Sequence, residues 1–265
     1  MKKILVCIVM TVLGVSVLSA QDSIPEPKTV EYYSDYKFKV SPFFWFLGLK
    51  GEIIAPPQPS TLPEPPPRYQ VDLSFSDLSS SIRFITMMGM DYKGEHFIIR
   101  ANVTSLILEG QAITPLQIIT EGVDYRFTYL TSEITGGYRI LKNPKLDLDV
   151  LLGVRMLYTK ITGETDIVGV TFTGERQVFW WDPILGFQIK YRPHERLELT
   201  GYTDFGPIRN VDSYQFQAQA IYHLTKTFSM ALGYRNYYIN SEAEEKETIY
   251  KGRVYGPFAR LGFQF

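Results

Sequence analysis

Histidine, the side chain that acts most often as a general acid or base, is rare in this sequence. The chain has three histidines: His96 follows the turn-like Lys93-Gly94, His194 lies in RPHE, and His223 ends an alternating segment. A general base must lie within hydrogen-bond reach of the group that it deprotonates. The strand order described below places all three histidines at the end of the fold that carries the short turns. The loops at the opposite rim supply Asp, Glu and Ser but no histidine, so we predict no enzyme activity and name no catalytic residue.

A second group consists of charged residues at mid-height of predicted strands, on the face opposite the apolar residues. Its members are Arg100, Glu133, Arg155, Arg235 and Arg260. One interpretation is an anion-selective lining or a substrate path. The other is a salt-bridged filling, because eight-stranded barrels are filled by their own side chains and clear aqueous channels occur from about 16 strands upward. The predicted strand number favours the filling, and a narrow pore is the alternative.

Composition excludes several other kinds of site. Cys7 is the only cysteine and lies in the N-terminal leader, so the mature chain has no thiol for a disulfide, a nucleophile or a metal. No phosphate-binding loop, metal-ligand spacing or nucleotide fingerprint occurs. The formal net charge of −1 gives no strong attraction to nucleic acid. We therefore predict no cofactor, no metal and no nucleic-acid partner.

The elements that must position the charged residues are segments of alternating hydrophobicity. They predict an all-β fold, a transmembrane up-and-down antiparallel β-barrel of about ten strands, with a range of eight to twelve. Their connections alternate between short and long, as in outer-membrane barrels with short periplasmic turns and longer extracellular loops. The Pro-rich segment 54–81 is a predicted loop in which VDLSFSDL adds a short strand or folds over the mouth. The predicted strands are about 37–53, 82–92, 95–108, 123–140, 146–162, 179–192, 196–206, 213–224, 227–241 and 250–265.

The two faces of these strands differ in character. Over 146–158, leucines and valines at even positions alternate with residues such as Asp147, Asp149 and Arg155. An Arg or Lys facing lipid at the bilayer midplane costs about 2–4 kcal/mol, and the apolar faces carry almost no charge. Aromatic residues cluster near both ends of the strands, as interfacial girdles require. The apolar face is therefore predicted to contact outer-membrane lipid, and the mixed face to line the lumen.

The N-terminal residues have the order of a secretory signal peptide. Lys2 and Lys3 precede an apolar run over 4–18, and the small residues Ser19-Ala20 follow it. Cleavage near this point predicts export to the bacterial outer membrane. The predicted organisation is a signal peptide at 1–20, a periplasmic lead-in at 21–36 and an outer-membrane β-barrel domain at 37–265.

The ending RLGFQF alternates between polar and apolar residues. Leu261, Phe263 and Phe265 are predicted to form the lipid face of the closing strand. A terminal aromatic after alternating apolar residues also resembles the signal by which barrel-assembly machinery recognises its clients. That machinery is thus a predicted partner during insertion, whereas any extracellular ligand is left open.

Several segments resemble a family of uncharacterised, porin-like Gram-negative outer-membrane β-barrel proteins. These are SPFFWFLGLKGEI, VDLSFSDLSSSIRF, WWDPILGFQIKYRP, YTDFG, FSMALGYRNYYI and GPFARLGFQF. The resemblance implies a membrane barrel and no particular activity. We predict a structural or surface-interaction role with a mostly side-chain-filled lumen. A narrow small-solute pore is the first alternative, and a surface-exposed outer-membrane hydrolase is the second.

Overall fold

The computed structural model describes residues 36–54, 68–112, 123–167, 170–208, 211–241 and 249–265. The predicted signal peptide and nearly all of the predicted lead-in lie outside these residues. Among the described residues, no helix is long and apolar enough to cross a membrane. The elements are β1 (Phe38–Trp45), β2 (Gly48–Ile54), β3 (Arg68–Leu73), α1 (Phe75–Ser79), β4 (Ile82–Lys93), β5 (Phe97–Ala112), β6 (Val123–Lys142), β7 (Leu146–Ile167), β8 (Val170–His194), β9 (Leu197–Ile208), β10 (Val211–His223), β11 (Phe228–Ser241) and β12 (Ile249–Gln264).

Ten of the strands form a closed antiparallel ring. β1 pairs with β4, and from β4 onward each strand pairs with the next one in the chain. β12 then pairs back with β1, with Phe43 opposite Arg260. The predicted up-and-down barrel of about ten strands is confirmed. The two further strands, β2 and β3, lie outside this ring and pair beside β12.

The predicted first strand, 37–53, is wrong in one respect, because the structure divides it into β1 and β2. Both parts pair with β12, on either side of a break. At the break Phe46 donates its N–H to Pro257 O at 2.9 Å, and Trp45 Nε1 donates to Gly256 O at 3.2 Å. Gly256 has a φ of +150°, and a Cβ there would overlap the Phe46 oxygen. Only glycine allows this approach, and local alternation gives no sign of it.

Two elements, β3 and α1, lie in the segment 54–81 that was predicted as a loop. Among the described strands β3 pairs only with β2, and α1 follows it directly. The Phe75 ring packs edge-on against Phe44 and Phe46, with centroids 5.9 and 5.2 Å apart. Leu78, one turn further, is buried among apolar residues of the lumen. α1 therefore packs through Phe75 against the rings of Phe44 and Phe46, and through Leu78 against the buried apolar cluster.

The predicted long loop around 163–178 is also largely strand. β7 and β8 pair continuously from Leu146 opposite Tyr191 to Ile167 opposite Val170. The prediction ended the strands where the lipid-facing pattern ends. Outside lipid a hairpin needs no apolar face, and its Thr, Val and Phe residues favour strand. A transmembrane strand needs only about 9–11 residues, so a large part of these 22- and 25-residue strands extends beyond the hydrocarbon.

The barrel is apolar outside, and its buried charged side chains point inside. Leu232, Leu152 and Phe179 on the outer face are 71%, 66% and 64% exposed, whereas Arg155 and Asp149 on the inner face are 0% exposed. A soluble barrel has the opposite arrangement, and lipid requires this one. Exposed aromatic residues lie near both strand ends. They include Tyr92, Phe97, Tyr138, Tyr191, Tyr222 and Phe263 near the short turns, and Phe46, Phe179, Trp181, Phe205 and Tyr214 near the other end.

Candidate functional site in the barrel lumen

The middle of the lumen holds a network around a single carboxylate. Glu133 on β6 accepts hydrogen bonds from Arg155 Nε and Arg235 Nη2, both at 2.8 Å. Arg235 Nε also donates to Gln215 Oε1 at 2.8 Å. Charge-assisted hydrogen bonds of this kind are about twice as strong as neutral ones. Glu133 therefore holds two guanidinium groups that come from β7 and β11.

Arg155 extends this network to the opposite side of the barrel. Its Nη2 donates to both oxygens of Asp204 on β9, at 2.7 and 2.8 Å. Its Nη1 donates to Ser213 Oγ on β10 at 3.2 Å, and its guanidinium carbon lies 4.5 Å from the centre of the Tyr237 ring. One side chain thus connects residues of β6, β9, β10 and β11.

A second charged layer lies nearer the short turns. Its charged side chains are almost completely buried, and buried charges require partners because isolated ions are costly to remove from water. Here each carboxylate is paired with one or two cations. The ion pairs are Lys39–Asp91 at 3.2 Å, Arg100–Asp91 at 3.3 Å, Arg139–Asp149 at 3.1 Å, Lys190–Asp149 at 2.8 Å, Arg192–Glu198 at 3.4 Å and Arg192–Asp147.

The end of the lumen away from the short turns is apolar. Arg235 marks the boundary, since its guanidinium carbon lies 4.8 Å from the centre of the Trp45 ring. Beyond this level, inward-facing aliphatic and aromatic side chains pack together with Leu78 of α1. We call this cluster the apolar cap. It comprises Phe43, Trp45, Leu47, Leu78, Met87, Leu106, Leu108, Tyr129, Leu157, Tyr237, Ile239, Val254 and Phe258.

The structure brings three of the five predicted lumen charges into direct contact. Glu133, Arg155 and Arg235 form the central network. Arg100 belongs to the second layer through its ion pair. Arg260 stands apart from both, because its Nε has no hydrogen-bond acceptor among the described residues and its guanidinium lies against the Phe43 and Phe258 rings. The predicted functional role of these residues stays a prediction.

Neither Asp204 nor the apolar cap was predicted from the sequence as part of a site. Alternation placed Asp204 on the inner face of its strand, but it does not reveal which strands face each other across the lumen. A signal for the cap is present in the register: Leu157 and Tyr237 each lie two residues after an arginine, Arg155 and Arg235, on the same inward face. Continuing each inner face along its strand would have shown the change from charged to apolar residues.

The histidines and the predicted assembly residues lie away from this network. His96 is in the β4–β5 turn, and His194 and His223 end β8 and β10, so all three are at the short-turn end. Across the described ranges, no group of three or more His, Cys, Asp or Glu side chains could hold a metal ion. The outward-facing side chains Leu261, Phe263 and Phe265 are 40%, 42% and 75% exposed.

The closed ring, its apolar outer face and its charged interior define a transmembrane β-barrel. No family model and no curated protein matches the chain, but solved structures match its fold. The outer-membrane protease OmpT from Escherichia coli aligns with 12% identity and a TM-score of 0.50, covering 90% of this chain and 99% of OmpT. OprG from Pseudomonas aeruginosa aligns with 9% identity and a TM-score of 0.39, covering 87% of this chain and 97% of OprG. Ail of Yersinia pestis aligns with 10% identity and a TM-score of 0.31, covering 87% of this chain and 99% of Ail. The chain has the fold of bacterial outer-membrane β-barrels, as the resemblance predicted.

Proposed function

We propose that this protein is an outer-membrane β-barrel with a closed lumen and a structural or surface-interaction role. The observation that carries the proposal is the presence of buried, inward-facing side chains at three successive levels of the lumen. The second charged layer lies at the short-turn end, the Glu133 network in the middle, and the apolar cap beyond it. Small barrels are generally filled by their own side chains. A solute would have to displace both buried ion pairs and a packed apolar cluster.

The β7–β8 hairpin supports the surface part of the proposal. Its distal residues continue the strand pairing beyond the length that lipid needs. Lys160 and Glu175 form an exposed ion pair there, at 2.8 Å. A hairpin whose strands are hydrogen-bonded holds its side chains in a more fixed arrangement for binding a partner than an irregular loop does. The hairpin, rather than the lumen, is therefore the proposed surface for an extracellular partner.

The alternatives have less support. A narrow pore would need a path past Arg155, which is bonded on several sides. A hydrolase at the extracellular rim would need a base other than histidine, because the three histidines lie at the other end of the barrel. Fold likeness to a protease carries no activity at this level of identity. We propose that the protein is not an enzyme.

Planar-bilayer recording on the refolded protein tests the closed lumen. We expect no discrete conductance from the wild type at any voltage. The double variant Trp45→Ala/Tyr237→Ala, which removes the two largest fully buried aromatic side chains of the apolar cap, should show conducting events. Trp181→Ala on the outer face is the matched control and should stay silent. Regular channel steps in the wild type would contradict the proposal and favour the narrow pore.

A further inference from the structure

A recess in the lipid-facing surface of the barrel crosses β9, β10, β11, β12 and β1. It has a volume of about 610 Å³, and its lining is almost entirely apolar. Four strand spacings of about 4.8 Å give it a length of about 19 Å. Half of the hydrocarbon core of a bilayer is about 15 Å thick, so the recess is long enough for one lipid acyl chain. We call it the outer recess; its outward-facing lining includes Pro42, Phe44, Ala220, Leu232, Ala259 and Leu261.

Two alanines between larger side chains form the outer recess. Ala220 on β10 lies opposite Leu232 on β11, and Leu232 lies opposite Ala259 on β12. Ala259 in turn lies opposite Phe44 on β1. The two alanine methyl groups lower the surface on both sides of Leu232. An acyl chain that lies in this depression contacts side chains on several sides, so it gains more dispersion contacts than it would on a flat apolar face.

The outer recess begins at the short-turn end of the barrel. Leu197, the first residue of β9, lines it together with Tyr222, which lies opposite Leu197 on β10. Outer-membrane barrels have their short turns on the periplasmic side. The recess therefore lies in the half of the bilayer that the inner leaflet occupies.

Two cationic residues lie at this end of the outer recess. Arg196 directly precedes the lining residue Leu197, and Lys226 is exposed in the turn that joins β10 to β11. Arg196 pairs with Glu195 at 3.9 Å, and the two side chains are 39% and 43% exposed. Such an exposed ion pair contributes little, so it can be exchanged for a phosphate group, which a guanidinium binds through two N–H groups.

We propose that the outer recess binds one anionic phospholipid of the inner leaflet. One acyl chain lies over Ala220 and Ala259, and the phosphate group lies at Arg196 and Lys226. A second copy of the barrel fits this face less well. Copies share one orientation in a membrane, so a symmetric contact here would bring their Arg196 and Lys226 residues to the same level, where like charges repel. The inference goes beyond the closed-lumen proposal and does not depend on whether the barrel conducts.

Native mass spectrometry of the refolded protein, released from detergent micelles with added phosphatidylglycerol, counts the lipid molecules that stay bound. The wild type should retain one. Ala220→Phe/Ala259→Phe, whose rings fill the outer recess, should retain none at the same lipid concentration. Ala101→Phe is the matched control and should behave as the wild type, because Ala101 lies on the outer face of β5 between the exposed Met90 and Ile134.

Equal retention of phosphatidylglycerol by the wild type and the filled variant would overturn the proposal. A mass of two chains that appears for the wild type and disappears for the filled variant would also overturn it, because the recess would then be a contact between two copies.

The same measurement tests the contact with the head group. Each Lys or Arg near an anionic lipid surface strengthens binding about fivefold, so Arg196→Gln/Lys226→Gln should weaken the retention of phosphatidylglycerol roughly thirtyfold. Lys142→Gln/Lys145→Gln, which removes two exposed lysines near the β6–β7 turn, is the control and should leave retention unchanged. Phosphatidylcholine has no net charge, and the wild type should retain less of it than of phosphatidylglycerol. Equal retention of the two lipids by the wild type would contradict the proposed anionic head group.

Discussion

Glu133 is the residue on which the middle of the lumen depends, because two arginines bind its carboxylate. Removing one partner of a buried ion pair is strongly destabilising, since the remaining charge is left buried without compensation. An exposed ion pair contributes much less, because water already solvates both groups. The barrel contains both kinds: the Glu133 network is enclosed, whereas Lys160 and Glu175 pair in the exposed part of the β7–β8 hairpin.

This contrast predicts unequal effects of two similar substitutions. Glu133→Ala should lower the free energy of unfolding by about 3–5 kcal/mol, because Arg155 and Arg235 lose their shared acceptor. Glu175→Ala, the matched control, should lower it by no more than about 1 kcal/mol. Urea unfolding of the refolded protein in lipid vesicles, followed by tryptophan fluorescence, measures both. Equal losses would show that the central network has no special role in stability.

At the scale of elements, α1 is held by a capping box. The Ser74 hydroxyl accepts a hydrogen bond from the Asp77 N–H at 3.4 Å, and the Ser74 N–H donates to Asp77 Oδ2 at 2.8 Å. The Ser74 hydroxyl also donates to Asp77 Oδ2, at 2.6 Å. The two hydrogen bonds to the carboxylate lower the pKa of Asp77 below its ordinary value, and the bond from the hydroxyl has the larger effect. The ionised form of Asp77 is therefore the form that stabilises the start of α1.

The lowered pKa predicts that acid loosens α1. The stabilisation is complete above the ordinary aspartate pKa of about 3.9 and is lost as the pH falls through the lower folded-state value. Hydrogen exchange at the Leu78 and Ser81 amides, corrected for intrinsic rates, should accelerate over that range. Asp77→Asn should make exchange fast already at neutral pH, while Asp72→Asn on β3 should not. Unchanged exchange in Asp77→Asn would argue against the capping role.

The elements also show which features of the fold were predictable from sequence. The strands from β4 to β12 pair as consecutive hairpins, so local alternation was sufficient to find them. The break between β1 and β2 depends on the contact of Gly256 with Phe46, distant in sequence, and no local pattern reveals it. In the lumen, the alternation predicted the inward direction of Arg155, but its pairing with Asp204 depends on the curvature of the whole sheet.

For the whole molecule, the ring is closed where β12 ends beside the start of β1. Phe265 O accepts hydrogen bonds from the N–H groups of Lys37 and Phe38, both at 3.1 Å, and the Phe265 N–H donates to Phe38 O at 2.8 Å. The Phe265 side chain, in contrast, is 75% exposed. Its backbone closes the barrel, and its side chain, whose ring centroid lies 6.4 Å from that of Phe38, is exposed enough for the recognition by assembly machinery that we propose.

These two roles can be separated by Phe265→Ala. The refolded variant should unfold within about 0.5 kcal/mol of the wild type, because an exposed side chain is removed and the closing backbone bonds stay. In cells, the amount of barrel that migrates as a folded, heat-modifiable species from outer-membrane fractions should fall. Phe205→Ala, an exposed outer-face aromatic elsewhere, is the control and should assemble normally. Normal assembly of Phe265→Ala in cells would contradict the proposed recognition.

The pairing of β1 with β12 also determines the order of folding events. From β4 to β12 every neighbouring pair is consecutive in the chain, whereas β1 and β12 bring together residues more than two hundred positions apart. The entropy cost of closing so long a loop must be met before the contact contributes. Closure is therefore expected to be the last and slowest step. Until then the growing sheet has two open edges that lipid cannot satisfy, and the lifetime of that open sheet sets how long the chain must be shielded from aggregation.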